Sequence, residues 1–246
     1  NSCLEKIAKT FEVEAHDYIP FKNDTTFPEV VLSILSNAVP ECLVRAEVYC
    51  PTTLLSTNEI DGAVFAKKFV RAVAIAKVEP RRAVTHNKGI MNGVDALVLA
   101  TGNDFRAVEA GAHSYACKDG KYTSLTDAKV ENGIFSFWIE IPLALGTVGG
   151  LTGLHPLVKL AFSMLQKPNA KELMEIVAVA GLAQNFAAVK SLVTTGIQKG
   201  HMKMHLMNIL NQLETSKTEK DQALAYFTNE TITHSSVLSF IDQLRS

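Results

Sequence analysis

Thr85, His86, Asn87, Lys88, Gly89, Ile90, Met91, Asn92 and Gly93 set one ammonium among apolar residues and glycines. Asn92 follows Lys88 by one helical turn, so the two share a face. The polar run from Arg81 to Asn87 predicts a hinge, with a helix from about Lys88 to Ala100. Lys88 would then stand at a helix mouth, where the dipole favours anions and gives an ammonium nothing. An isolated lysine in such a place is ordinarily a solvated side chain. Here a carboxylate follows at Asp104, after Thr101, Gly102 and Asn103. As a plain element of structure Asp104 caps the next helix. If the two helices fold back on each other, it could also approach Lys88 to within about 4–6 Å and keep it charged. A fixed cation is what a developing oxyanion requires.

Two histidines, His201 and His205, follow at helical spacing i and i+4. A zinc helix of the H-E-x-x-H type needs a glutamate where Met202 stands, which argues against a metal site. A proton donor is the better functional reading, because imidazole titrates near neutrality, and a packed or solvated histidine is the bland alternative. Gly146, Gly149, Gly150 and Gly153 invite a phosphate-loop reading, but their spacing fits neither G-x-G-x-x-G nor the Walker pattern. Close backbone packing explains them equally well. Arg81 and Arg82 precede Lys88 by seven and six residues and would face an acidic substrate lying near it.

Elements must hold these groups in place. Cys3, Leu4, Ile7, Ala8 and Phe11 predict a helix over 2–12, and Val30–Leu35 and Leu43–Cys50 predict two strands about a turn at 37–40. Ser56 to Glu59 has the S-x-x-E form of a capping box, opening a helix that Pro80 stops. Asp104 opens another that closes near Cys117. Tyr122–Val130 and Ile134–Ile141 flank Asn132 and Gly133, the strongest short-range hairpin signal. From Pro156 onward the periodicity predicts helices over 156–165, 170–180, 182–193, 201–213, 219–227 and 235–244. The fold class is therefore α+β with a helical C-terminal end.

Bulk properties narrow the function. In 246 residues, 47% are hydrophobic, enough to fill a core, and 24 basic against 25 acidic residues leave no field to hold nucleic acid or an acidic membrane surface. Cys3, Cys42, Cys50 and Cys117 show neither CxxC pairing nor metal-ligand spacing, which points to a reducing, cytoplasmic setting. The apolar runs at 96–100 and 176–182 are shorter than the roughly 20 residues a membrane span needs, so no span is expected.

Taken together, the segments resemble one family. Glu79 to Val84 leading into T-H-N-K-G-I-M-N-G-V-D, then A-T-G-N-D-F-R-A-V-E-A-G-A-H from Ala100 to His113, strongly resemble class II 3-hydroxy-3-methylglutaryl-coenzyme A (HMG-CoA) reductases. So do Ile34–Asn37, Val148–Pro156, Gly181–Asn185 and G-I-Q-K-G-H-M at Gly196–Met202. The resemblance implies that Lys88 polarises the thioester carbonyl, that Asp104 belongs to its network, and that His201 protonates the departing coenzyme A thiolate. Arg82, Asn37, Asn92 and Gln184 match positions lining the substrate pocket. It further implies an oxidoreductase that converts HMG-CoA to mevalonate and free coenzyme A with two hydrides from NADPH or NADH, working as a homodimer.

The family also uses a glutamate from an earlier acidic motif and a D-A-M-G-A-N segment that meets the nicotinamide, and neither occurs in these 246 residues. The expectation is a later part of the enzyme: residues 1–36 the tail of a small cofactor-binding domain, 37–195 the large HMG-CoA-binding domain, 196–246 a C-terminal helical flap. Cofactor-binding residues are accordingly not assigned. The alternative is a non-catalytic substrate-binding and oligomerisation piece. An acyltransferase or thiolase would need a nucleophilic cysteine or serine with a histidine, and neither Cys50 nor Cys117 has such a partner in sequence.

Overall fold

The computed structural model describes residues 2–17, 29–194, 197–228 and 230–245. Helix α1 spans Ser2–Asp17, five residues beyond the predicted end. Strand β1 (Leu43–Pro51) is the one strand of the predicted first pair; 30–35 forms none, and Val31, Leu32, Ile34 and Leu35 lie 63–83% exposed. β-branched content suits a strand, but a strand exists only where a ladder partner does. Helix α2 covers Gly62–Val78, and its cap is Asp61, whose carboxylate accepts from the Ala63 and Val64 amides at 2.9 and 3.1 Å. The predicted capping box is displaced: Ser56 Oγ accepts from the Gly62 amide at 3.0 Å, so its residues form the approach to the helix.

The largest departure concerns α3, which runs unbroken from Pro80 to Ala100. Pro80 ends α2 and also begins α3, because proline lacks only an amide hydrogen that the first helical position leaves unpaired. Glu79 caps it by accepting from the Arg81 amide at 3.1 Å. The supposed hinge is thus the first two turns of a helix, and Lys88 stands in mid-helix rather than at its mouth. Gly102, at φ 70°, turns the chain into α4 (Phe105–Ala116).

The hairpin forms as predicted around Asn132 and Gly133, both at positive φ as a two-residue turn requires, but β2 covers only Thr126–Glu131 against β3, Ile134–Pro142. Before β2, the chain turns toward α3: the Asn87 side chain donates to the Thr123 carbonyl at 2.9 Å and accepts from the Leu125 amide at 3.1 Å, while the Leu125 carbonyl still accepts from the Glu140 amide of β3 at 3.1 Å. The sheet is antiparallel in order β1-β3-β2, with Leu43 opposite Pro142 and Thr126 opposite Ile139.

On β3, Phe135, Phe137, Ile139 and Ile141 alternate inward and are buried. Phe69 of α2 meets the first two edge-on, ring centres 5.3 and 5.0 Å away. After α5 (Pro156–Met164), helix α6 runs through Ala170–Val193 where two helices were expected. Gly181 does not break it, since the residue is glycine for closeness: an added Cβ would lie 2.8 Å from Val94 Cγ2 and 3.2 Å from Ile90 Cγ2. By length and a mean hydropathy of 1.6 alone α6 could cross a membrane. Here Leu173, Val177, Leu182 and Val189 belong to the main core with α3 and the sheet. Helices α7 (Ile197–Gln212), α8 (Lys217–Tyr226) and α9 (His234–Arg245) gather a second, smaller core from Leu206, Leu210, Phe227, Val237 and Ile241.

Candidate active site

Helices α3 and α6 cross closely because glycines face the contact. A Cβ on Gly93 would sit 2.6 Å from the Ala180 carbonyl oxygen and 2.8 Å from Gln184 Cβ. Beside this crossing opens a cleft of about 470 Å³, with Arg82, Lys88 and Asn92 on its α3 wall, Gln184 and Asn185 on its α6 wall, and Met204 of α7 at its edge. Four residues singled out from sequence, Arg82, Lys88, Asn92 and Gln184, therefore share one cavity. Arg82 is half-buried, and desolvation lowers its pKa. Two cations and three carboxamides around an open volume suit an acidic, hydroxylated ligand of moderate size.

Asp104 and Asn37 do not line this cleft. Asp104 caps α4 through the Arg106 and Ala107 amides and pairs with the Arg106 guanidinium at 3.2 Å, a hydrogen bond that lowers its pKa. Asn103 donates its amide to the Val98 carbonyl, so Asp104 begins beside Val98. Ten residues of helix separate that point from Lys88, about 15 Å along the axis. Asn37 is exposed, and its carbonyl lies over α4, 2.7 Å from where a Cβ on Gly111 would be. His201 falls on α7, but its side chain lies outside the described residues.

Sequence reasoning missed the floor of the cleft. His86 is 2% exposed, and its Nε2 lies 2.6 Å from Thr126 Oγ1 on β2. Thr126 also bonds the Asn185 side chain at 3.1 Å, and Asn185 Nδ2 donates to the His86 carbonyl at 3.1 Å. Burial first, then the nearby Arg82 charge, lowers the His86 pKa to about 4, leaving a neutral ring. Had α3 been started at Pro80, the buried stripe Ala83, His86, Asn87, Ile90, Met91, Val94 and Val98 would have flagged two polar residues among apolar ones.

The model of the family described as hydroxymethylglutaryl-coenzyme A reductase matches residues 1–206. A 3-hydroxy-3-methylglutaryl-coenzyme A reductase of Archaeoglobus fulgidus is 43% identical over 225 residues, 91% of this chain and 48% of that protein. A probable reductase of the same name from Borreliella burgdorferi is 40% identical over 200 residues, 80% of this chain and 46% of its own length. The chain thus spans about half the length of the curated relatives it matches. Among solved structures, the reductase of Streptococcus pneumoniae superposes with a TM-score of 0.71 at 34% identity, over 98% of this chain and 56% of that one. The class II enzyme of the same organism, bound to NADPH in open conformations, superposes at 0.70 and 34% identity, over 99% and 58%.

Proposed function

The chain belongs to the hydroxymethylglutaryl-coenzyme A reductase family, and on that premise we propose that it is the substrate-binding part of a class II enzyme that reduces HMG-CoA to mevalonate and free coenzyme A. The observation that carries the reading is the convergence of Arg82, Lys88, Asn92 and Gln184 on one cleft. NADPH or NADH supplies the hydride when bound, and we assign none of the described residues to holding it.

What this chain contributes follows from charge. The carbonyl oxygen becomes an alkoxide at each reduction, and the Lys88 ammonium is the preorganised cation for it. Arg82 meets the substrate carboxylate, and Asn92 and Gln184 supply neutral donors that orient the acyl group. Expulsion of coenzyme A needs an acid poised near neutrality, the role we give His201. The separation of Lys88 from the start of α4, about 15 Å along the α3 axis, supports a homodimer in which Asp104 of one copy approaches Lys88 of the second. We also propose the division into residues 1–36, 37–195 and 196–246, supported at the last boundary by the separate core of α7–α9. A cytoplasmic location fits the free cysteines.

The test is nicotinamide oxidation by the full-length natural protein with HMG-CoA and with free mevaldehyde. Lys88→Met should lower both reductions by on the order of 100–1000-fold. His201→Gln should lower only the first by roughly 100–10000-fold, since mevaldehyde has no thiolate to expel. Near-normal turnover by Lys88→Met with either substrate would sink the assignment.

A further inference from the structure

The cluster beneath the cleft has a hydrogen-bond pattern that assigns its protons. Asn185 Nδ2 donates to the His86 carbonyl, so Asn185 Oδ1 is the atom facing Thr126 and must accept from it. The Ser124 hydroxyl gives its hydrogen to the Thr126 carbonyl at 2.8 Å and accepts the Thr126 amide at 3.0 Å. Ser124 Oγ also lies 3.2 Å from Thr126 Oγ1, but Ser124 already accepts the Thr126 amide, whereas Asn185 Oδ1 has Thr126 as its donor; Thr126 has one hydroxyl hydrogen, and Asn185 takes it. The 2.6 Å contact between Thr126 Oγ1 and His86 Nε2 is therefore one in which the ring donates. A neutral ring with its hydrogen on Nε2 carries a bare lone pair on Nδ1, and Nδ1 is indeed buried with no partner among the described residues. An unpaired buried acceptor is tolerated more readily than an unpaired buried N–H, which favours the same tautomer.

We infer that His86, Thr126 and Asn185 form a proton-locked brace in which His86, as its neutral Nε2–H tautomer, is a positioning residue of the cleft. The brace joins three elements. His86 lies two residues before Lys88 on α3, Asn185 directly follows Gln184 on α6, and Thr126 of β2 ties the two together. It holds the Lys88 ammonium and the Gln184 carboxamide at a set separation across the opening, and a misplacement of about 1 Å at a reacting centre can cost on the order of 100-fold in rate. The bare Nδ1 keeps the floor uncharged beneath Arg82 and Lys88, so their field is directed toward an anionic ligand. The inference rests on the cleft being the substrate site.

Two measurements decide it. Nitrogen-15 NMR of the labelled 246-residue chain, with the His86 signals identified by their loss in His86→Gln, should show the Nε2–H tautomer at neutral pH. In the full-length enzyme, Thr126→Val should lower kcat for HMG-CoA by about 10–100-fold, the scale of a misplaced reacting group, and Thr126→Ser should restore it to within about threefold, since serine keeps the hydroxyl that bridges the ring and the amide. A purely structural threonine would lower the melting temperature of Thr126→Val and leave kcat per folded molecule intact. An Nδ1–H or protonated ring, or an unchanged kcat in Thr126→Val, overturns the brace. A full-length protein that fails to reduce HMG-CoA removes the functional premise instead, and the tautomer alone then judges the cluster.

Discussion

Helix α3 carries two inward-facing titratable side chains nine residues apart, the buried His86 and the partly buried Asp95, and the fold treats them in opposite ways. At the cleft end, His86 is neutral, donates to Thr126 and lies in a cluster that ties three elements together. At the far end, Asp95 lies against Glu109 of α4. Burial first, then a hydrogen bond to Glu109 and its charge, push the Asp95 pKa up to about 6. Its Oδ1 is buried with no partner among the described residues. Each end thus leaves one buried acceptor unpaired, but the cleft end ties His86 to two other elements by hydrogen bonds, whereas the far end sets two carboxyls against each other. The lesson is that buried polar residues on one helix are not one class: some specify geometry, and others carry a cost that the rest of the core offsets.

The contrast can be broken most strongly at Asn185. Asn185→Leu strips partners from the His86 carbonyl and the Thr126 hydroxyl together, so chemical denaturation should show a loss of about 2–5 kcal/mol, two unmade buried hydrogen bonds. A loss below that of an ordinary surface substitution would mean the cluster holds nothing together. The middle of the helix offers a smaller test. Gly93→Ala drives a methyl into the Ala180 backbone and should cost about 1–3 kcal/mol. Gly89→Ala meets only ordinary contacts at 3.6 Å from Ala188 Cβ and Asn185 Nδ2. It should be neutral or gain up to about 1 kcal/mol from helix propensity. Equal effects at both glycines would contradict the close crossing.

The smallest effect separates the two ends by pH. Asp95 binds its proton more tightly folded than unfolded, so its contribution is fully present below about 3.8 and is lost as pH rises through about 6. His86 runs the other way: its contribution is present above about 6.5 and is lost as pH falls through about 4. Asp95→Asn should therefore be more stable than the parent near neutral pH, by less than about 1 kcal/mol once solvent screening is allowed for. That advantage should vanish in acid. Thermal melts across this range that show no such crossover would mean Asp95 is already ionised in the folded protein at low cost.

Signals written within a few residues were legible without coordinates. The hairpin at Asn132–Gly133, the Asp104 cap and the helices α5, α8 and α9 were read close to where they stand. Motif resemblance found the four cleft residues Arg82, Lys88, Asn92 and Gln184 but also grouped Asp104 and Asn37 with them, which one chain holds elsewhere. Where the reading failed, a residue had been taken for its local habit. Pro80 was rightly read as a stop for α2, but the polar turn after it was read as a hinge and Gly181 as a break, although the first is the opening of α3 and the second is glycine for close packing.

By itself the sequence determined most helix caps, the hairpin turn and the charge available to the cleft, because caps, turns and hydrophobic periodicity depend on neighbours a few bonds away. Only the tertiary structure decided that α3 and α6 approach closely enough to make Lys88 and Gln184 face one cavity, and that His86, Thr126 and Asn185 meet. Those contacts join residues 40, 59 and 99 positions apart. A hydrogen bond has no signature along the chain until packing brings donor and acceptor to within about 3 Å.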